Sequence, residues 1–178
     1  MGAVGERILV LGGARSGKSR YAESLADGHQ APYTYIATAE AHDEEMAARI
    51  AAHQSRRGAD WQLREAPLTL PEAVRDCDRA GGFVLVDCVT LWLTNLLLAD
   101  EGTDIAVEAL LDVLSGTEGT VVLVSNEVGL GIVPDNALAR RFRDVAGTAN
   151  QRIAEAADRV VLVTAGLPMT IKSASGPA

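Results

Sequence analysis

The chain has 178 residues, 48% of them hydrophobic and 22% charged, proportions ordinary for one globular α/β domain with a sizeable core. A formal net charge of −8 argues against a nucleic-acid partner, whose phosphates call for a basic face. Two cysteines, Cys77 and Cys88, are too few for a disulfide scaffold, and no signal peptide is expected ahead of the first strand. The longest apolar run, Leu91 to Ala99, is broken by Thr94 and Asn95 and is too short to span a bilayer. These traits together predict a cytoplasmic protein.

In chain order, Ile8 to Leu11 form an apolar, partly β-branched run of the kind that makes a buried parallel strand. It leads into Gly12-Gly13-Ala14-Arg15-Ser16-Gly17-Lys18-Ser19, which meets every fixed position of G-x-x-x-x-G-K-[ST]. Glycine permits the backbone to curl its amide N–H groups around a phosphate chain. Lys18 is then expected on the β- and γ-phosphates and Ser19 on Mg²⁺. A helix is predicted over Arg20–Ala26, its N-terminal dipole adding to the phosphate site. The motif therefore points to a nucleoside triphosphate.

Tyr33–Ala37 reads as a second strand. Asp43–Arg57 reads as a helix, with Met46 and Ile50 an apolar pair and Arg49, His53 and Arg57 on an adjacent stripe. That stripe fits either a solvated face or a nucleophilic imidazole flanked by guanidinium groups, and spacing alone favours the solvated face. Trp61–Glu65 alternates as a short strand does. Thr69 and Glu72 are spaced as a capping box for a helix presenting Leu70, Val74 and Cys77 on one face, with Gly81-Gly82 as its stop. Phe83–Val86 followed by Asp87 is a Walker-B pattern: a strand ending in a carboxylate that holds Mg²⁺ or its water. The pattern is common alone and gains weight beside the P-loop.

Thr120–Val124 predicts a further strand, and Asn126-Glu127-Val128-Gly129 follows it where open α/β sheets place ligands. Gly129–Pro134 predicts a loop, Asn136–Ala156 a long helix bearing Arg140, Arg141, Arg143 and Asp144, and Val160–Val163 another strand. Ser173–Ala178 predicts a frayed tail. Strands alternating with helices imply an α/β fold, a mainly parallel sheet with helices on both faces. No internal repeat or linker divides residues 1–172, which are expected to form a single catalytic domain.

Three stretches resemble one family: GGARSGKSRYAE at Gly12–Glu23, YIATAEAHDEEMAARIAAH at Tyr35–His53, and NEVGLGIVPDNALARRFRDVAGTANQ at Asn126–Gln151. They are similar to the bifunctional adenosylcobinamide kinase/adenosylcobinamide-phosphate guanylyltransferases of cobalamin biosynthesis. The P-loop is shared by many families; the third stretch is far more specific. The resemblance implies a RecA-like P-loop domain assembled as a homotrimer. It also implies two reactions: ATP or GTP phosphorylates adenosylcobinamide, and a histidine then takes GMP from GTP, releases pyrophosphate, and passes GMP to adenosylcobinamide-phosphate. The family's guanylylated histidine follows an Arg-Ile pair, which matches His53 here. The same matching implies nucleotide contacts at Gly12–Ser19 (Gly12, Gly13, Ala14, Arg15, Ser16, Gly17, Lys18, Ser19), at Ala37, Thr38 and Ala39, at Gln54, Ser55, Arg56 and Arg57, and at Glu65 and Asp87. Lys18 and His53 are the implied catalytic residues, and Ser19 and Asp87 the implied Mg²⁺ ligands. Ala51-Ala52 stands where some members carry larger polar residues, and Asp87 where some carry glutamate.

Two other readings fit the sequence. One is a P-loop small-molecule kinase without a covalent step, which trapping of GMP on the protein would exclude. The other is a RecA-like ATPase acting on a macromolecular partner, against which the acidic balance counts.

Overall fold

The computed structural model describes residues 5–39, 58–174 and 176–177. The helix expected over 43–57, with His42, Arg49, His53 and Gln54 to Arg57, lies outside the described residues.

An eight-stranded sheet organises the chain. Its strands are β1 (Arg7–Gly12), β2 (Tyr33–Ala37), β3 (Trp61–Glu65), β4 (Phe83–Asp87), β5 (Thr120–Asn126), β6 (Arg159–Thr164), β7 (Leu167–Ser173) and β8 (Gly176–Pro177), in the order β3-β2-β4-β5-β1-β6-β7-β8. The first six in that row run parallel, and β7 and β8 turn antiparallel. Among the described residues the helices are α1 (Lys18–Ser24), α2 (Leu70–Cys77), α3 (Val89–Leu98), α4 (Thr103–Ser115) and α5 (Ala137–Ala156), and a 3₁₀ turn, Leu25–Gly28, extends α1.

Alternation along the strands divides the core into two layers. Ile8 and Val10 of β1, Leu85 of β4, Val122 and Val124 of β5, and Val161 and Val163 of β6 pack toward α1. The residues between them, Leu9, Val84, Val86, Val121 and Leu123, pack toward α2 to α5. α3 is buried nearly all round, with Trp92 and Leu93 fully enclosed, so the apolar run too short for a bilayer is a core helix. α5 buries Ala146, Ala149, Asn150 and Ile153, the i, i+3, i+4, i+7 stripe of an amphipathic helix. Its N-cap Asn136 accepts a 2.7 Å hydrogen bond from the Ala139 N–H.

Some local expectations fail for identifiable reasons. Thr69 is the N-cap of α2 but makes no side-chain capping bond, since its backbone (φ −94°, ψ 46°) lies outside the extended range that aims a capping hydroxyl. α2 also stops at Cys77, where Asp78 turns extended, and Gly81 and Gly82 close a separate turn onto the Arg79 carbonyl. Within the segment expected to be a tail, Ser173 ends β7 and pairs with Gly176. β7 itself escapes a sequence reading, because Pro168 and the mixed polarity of LPMTIKS hide an outer antiparallel strand.

Candidate nucleotide site

β1 ends at Gly12 in the middle of the sheet, so the loop after it emerges at the rim where the parallel strands have their carboxyl ends. Arg15 (φ 56°) and Gly17 (φ 96°) both take left-handed backbone and curl the loop back into α1, which begins at Lys18. A side chain on Gly12 would place its Cβ 2.4 Å from the Ser16 hydroxyl and 2.6 Å from the Val163 carbonyl oxygen. Glycine at that motif position is a steric requirement. From the other side, the β6–β7 turn presses against the loop: the Gly166 N–H donates to the Ser16 carbonyl at 2.8 Å.

Lys18 is 9% exposed, and its ammonium donates to the Gly13 carbonyl at 3.1 Å, folded over the loop's mouth. Burial lowers its pKa, while the acidic groups of Cys88 and Asp87 pull the other way. Asp87 therefore lies within electrostatic reach of Lys18, two strands away across the sheet. Its Oδ2 accepts a 2.7 Å hydrogen bond from the Tyr35 hydroxyl. Register sets Glu65 opposite Ala37 and Ala37 opposite Asp87, so three of the expected contacts share one row along the rim. Glu65, on the outermost strand, stands roughly 10 Å from Asp87 and roughly 19 Å from β1 at a strand spacing of about 4.8 Å. Ser19 and Asp87 supply hard oxygen donors, which suit Mg²⁺; that ion keeps waters and phosphate oxygens as its other ligands. Among the described residues no group of three or more His, Cys, Asp or Glu forms a protein cage for a metal.

Thr38 departs from expectation. It is fully buried, and all its polar atoms are engaged. Its hydroxyl donates to the Cys88 carbonyl (2.8 Å) and accepts from the Cys88 N–H (2.9 Å), its carbonyl accepts from Asn95 Nδ2 (2.7 Å), and its N–H donates to the Asp87 carbonyl (3.3 Å). Thr38 ties β2 to β4 beneath the rim, and its side chain has no free group for a nucleotide. The polar residues at the end of β5 act similarly. Ser125 donates to Asn150 Oδ1 (2.7 Å), Asn150 donates to the Asn126 carbonyl (3.2 Å), and Asn126 donates to Thr90 (2.7 Å). Burial pushes the Cys88 thiol, enclosed among these groups, up to about 11. The Glu127 N–H then donates to the Gly12 carbonyl at 3.1 Å, fastening the next loop to the P-loop.

Sequence reasoning missed two contributors, Tyr35 and the Ala165-Gly166 turn. Tyr35 gave no signal, because its role depends on β2 lying beside β4, which only the strand order shows. The turn was legible as a small dipeptide between an apolar run and LPMTIKS.

Strand order, P-loop and Asp87 define a RecA-like P-loop nucleotide-binding protein. Solved structures agree at the level of fold: a type III secretion ATPase of pathogenic bacteria superposes with a TM-score of 0.58 at 13% identity, over 94% of this chain and 57% of that one. At the level of sequence, residues 8–171 match the family model for cobinamide kinase/cobinamide phosphate guanyltransferase, and the chain belongs to that family. It is 53% identical to the bifunctional adenosylcobalamin biosynthesis protein CobP of Pseudomonas aeruginosa, over 93% of this chain and 97% of the relative. It is 43% identical to CobU of Salmonella typhimurium, over 93% and 99% respectively.

Proposed function

We propose that the chain phosphorylates adenosylcobinamide with ATP or GTP, and then converts adenosylcobinamide-phosphate and GTP into adenosylcobinamide-GDP and pyrophosphate through a guanylylated His53. The observation that carries the proposal is the placement of Lys18, Ser19 and Asp87 at one rim of a chain that matches the family over residues 8–171.

In the kinase step the substrate hydroxyl attacks the γ-phosphorus and loses its proton, while the bond to the β–γ bridging oxygen breaks and the nucleoside diphosphate leaves. The loop's N–H groups and Lys18 hold the phosphates; Ser19 and Asp87 would hold Mg²⁺, which offsets phosphate charge when bound. In the second reaction an imidazole nitrogen of His53 attacks the α-phosphorus and pyrophosphate departs. An oxygen of the substrate phosphate then attacks the same phosphorus, and the imidazole leaves. Gln54, Ser55, Arg56 and Arg57 on the same segment, with Ala37, Ala39 and Glu65, complete the nucleotide contacts.

A homotrimer is part of the proposal. Leu130, Ile132 and Leu138 after β5, and Leu167, Met169 and Ile171 along β7, are exposed apolar groups of the kind that association covers. No helix among the described residues is long and apolar enough to cross a membrane, consistent with work in the cytoplasm.

Incubation with α-labelled GTP tests the scheme. Wild type takes up label that adenosylcobinamide-phosphate discharges; His53→Ala takes up none, yet still phosphorylates adenosylcobinamide. Uptake by the alanine variant places the nucleophile elsewhere. Formation of adenosylcobinamide-GDP without any labelled protein means that transfer is direct.

A further inference from the structure

Asp87 ends β4 with no ion pair to Lys18, whose ammonium lies two strands away across the sheet. Lys18 donates instead to the Gly13 carbonyl. A carboxylate on a torsion as soft as the χ2 of aspartate turns freely unless another group holds it. In this protein the holding group is Tyr35. Register pairs Tyr35 with Leu85, so Asp87 is its diagonal neighbour on the adjacent strand and on the same face. The side chain is 5% exposed and its ring lies edge-on to Trp61 at 6.2 Å, which fixes the direction of the hydroxyl. The hydroxyl meets Asp87 Oδ2 at 2.7 Å, the short distance of a charge-assisted bond.

We propose that Tyr35 is a positioning residue for the Asp87 carboxylate: its hydroxyl anchors Oδ2 and leaves Oδ1 to the metal–nucleotide side. The inference rests on the reading of Asp87 as a Mg²⁺ ligand. Without the tyrosine hydroxyl, the carboxylate would turn about χ2 and present itself to the metal in only some of its orientations. The expected deficit is therefore in metal affinity rather than in maximal rate.

Tyr35→Phe removes the hydroxyl and keeps the ring. Tyr33→Phe is the control: Tyr33 lies on the same strand, also packs edge-on against Trp61, and bonds the His29 carbonyl, away from the site. Binding of Mn²⁺ to the full chain with β,γ-imido-GTP, read by electron paramagnetic resonance, is compared for wild type, both phenylalanine variants, Asp87→Asn and the Tyr35→Phe/Asp87→Asn double variant. Tyr35→Phe should weaken Mn²⁺ about 10-fold, as loss of a hydrogen bond behind a metal ligand does, and Tyr33→Phe should not. In the Asp87→Asn background, Tyr35→Phe should add no further loss. Half-saturating Mg²⁺ for turnover should rise by a similar factor, with kcat recovering at high Mg²⁺. Wild-type Mn²⁺ affinity in Tyr35→Phe overturns the proposal, as does an undiminished loss in the Asp87→Asn background. Wild-type affinity in Asp87→Asn overturns the metal role of Asp87 itself, and with it the part given to Tyr35.

Discussion

Thr38→Val is the variant that best separates support of the site from contact with the ligand. Valine matches threonine in shape but removes the hydroxyl that both donates to and accepts from the Cys88 backbone. Thr38 is fully buried, so no water replaces the lost bonds, and the Cys88 N–H and carbonyl both lose a partner. The carbonyl keeps the Trp92 N–H at 3.2 Å, so the unsatisfied Cys88 N–H sets the cost, about 2 kcal/mol. For a chain of this length that lowers Tm by about 4–8 °C. Trp92, fully enclosed in the core, reports unfolding through its fluorescence in a urea titration. The midpoint should fall with an unchanged slope. Thr38→Ser keeps the hydroxyl and should lose only about 1 kcal/mol, the worth of one buried methyl. The reasoning is refuted if Thr38→Val unfolds at the wild-type midpoint while binding GTP more weakly, because the hydroxyl then serves the nucleotide and not the strands.

Gly12→Ala drives a methyl against the Val163 carbonyl, which cannot rotate away as the Ser16 hydroxyl can. A cost of about 1–3 kcal/mol in a thermal melt is expected, with weaker GTP binding in a titration. The Arg7 guanidinium, bonded to both oxygens of Asp158, holds that carboxyl below its ordinary value. Its stabilisation is present above the unfolded pKa and is lost as pH falls through the lower folded value. Asp158→Asn should thus cost about 1 kcal/mol at pH 6, the modest worth of a partly exposed pair, and the gap from wild type in denaturation curves should close below about pH 4. Cys88 should resist an aromatic disulfide reagent at pH 8 until the chain unfolds, because burial keeps it a thiol up to about 11; a native-state reaction as fast as that of a free thiol would contradict its placement.

The sequence made the parallel strands legible because β1, β4, β5 and β6 are apolar runs that no amphipathic helix would carry. It made Lys18, Ser19 and Asp87 legible because phosphate and metal chemistry demands those residue types at set places. The fate of Thr38 was hidden: nothing in ATA at Ala37–Ala39 tells that the middle side chain turns inward to Cys88, fifty residues on. Thr69 and Glu72 have capping-box spacing, yet the backbone angle that decides the matter is set by how α2 packs. Tyr35 shows the same limit, since its hydroxyl matters only because strand order sets β2 beside β4.

That strand order also governs when the site can exist. β1 carries the P-loop near the start of the chain, but its neighbours in the sheet are β5 and β6, and the turn bracing the loop is at Gly166. During synthesis Gly12–Ser19 leaves the ribosome early, with no partner strand until more than a hundred residues have followed. A domain whose central strand waits for its two latest parallel partners must form long-range pairings first, which makes folding slow. Nucleotide binds only the assembled loop, so it draws the folding equilibrium toward the completed sheet. The ligand is thereby a late participant in folding as well as a substrate.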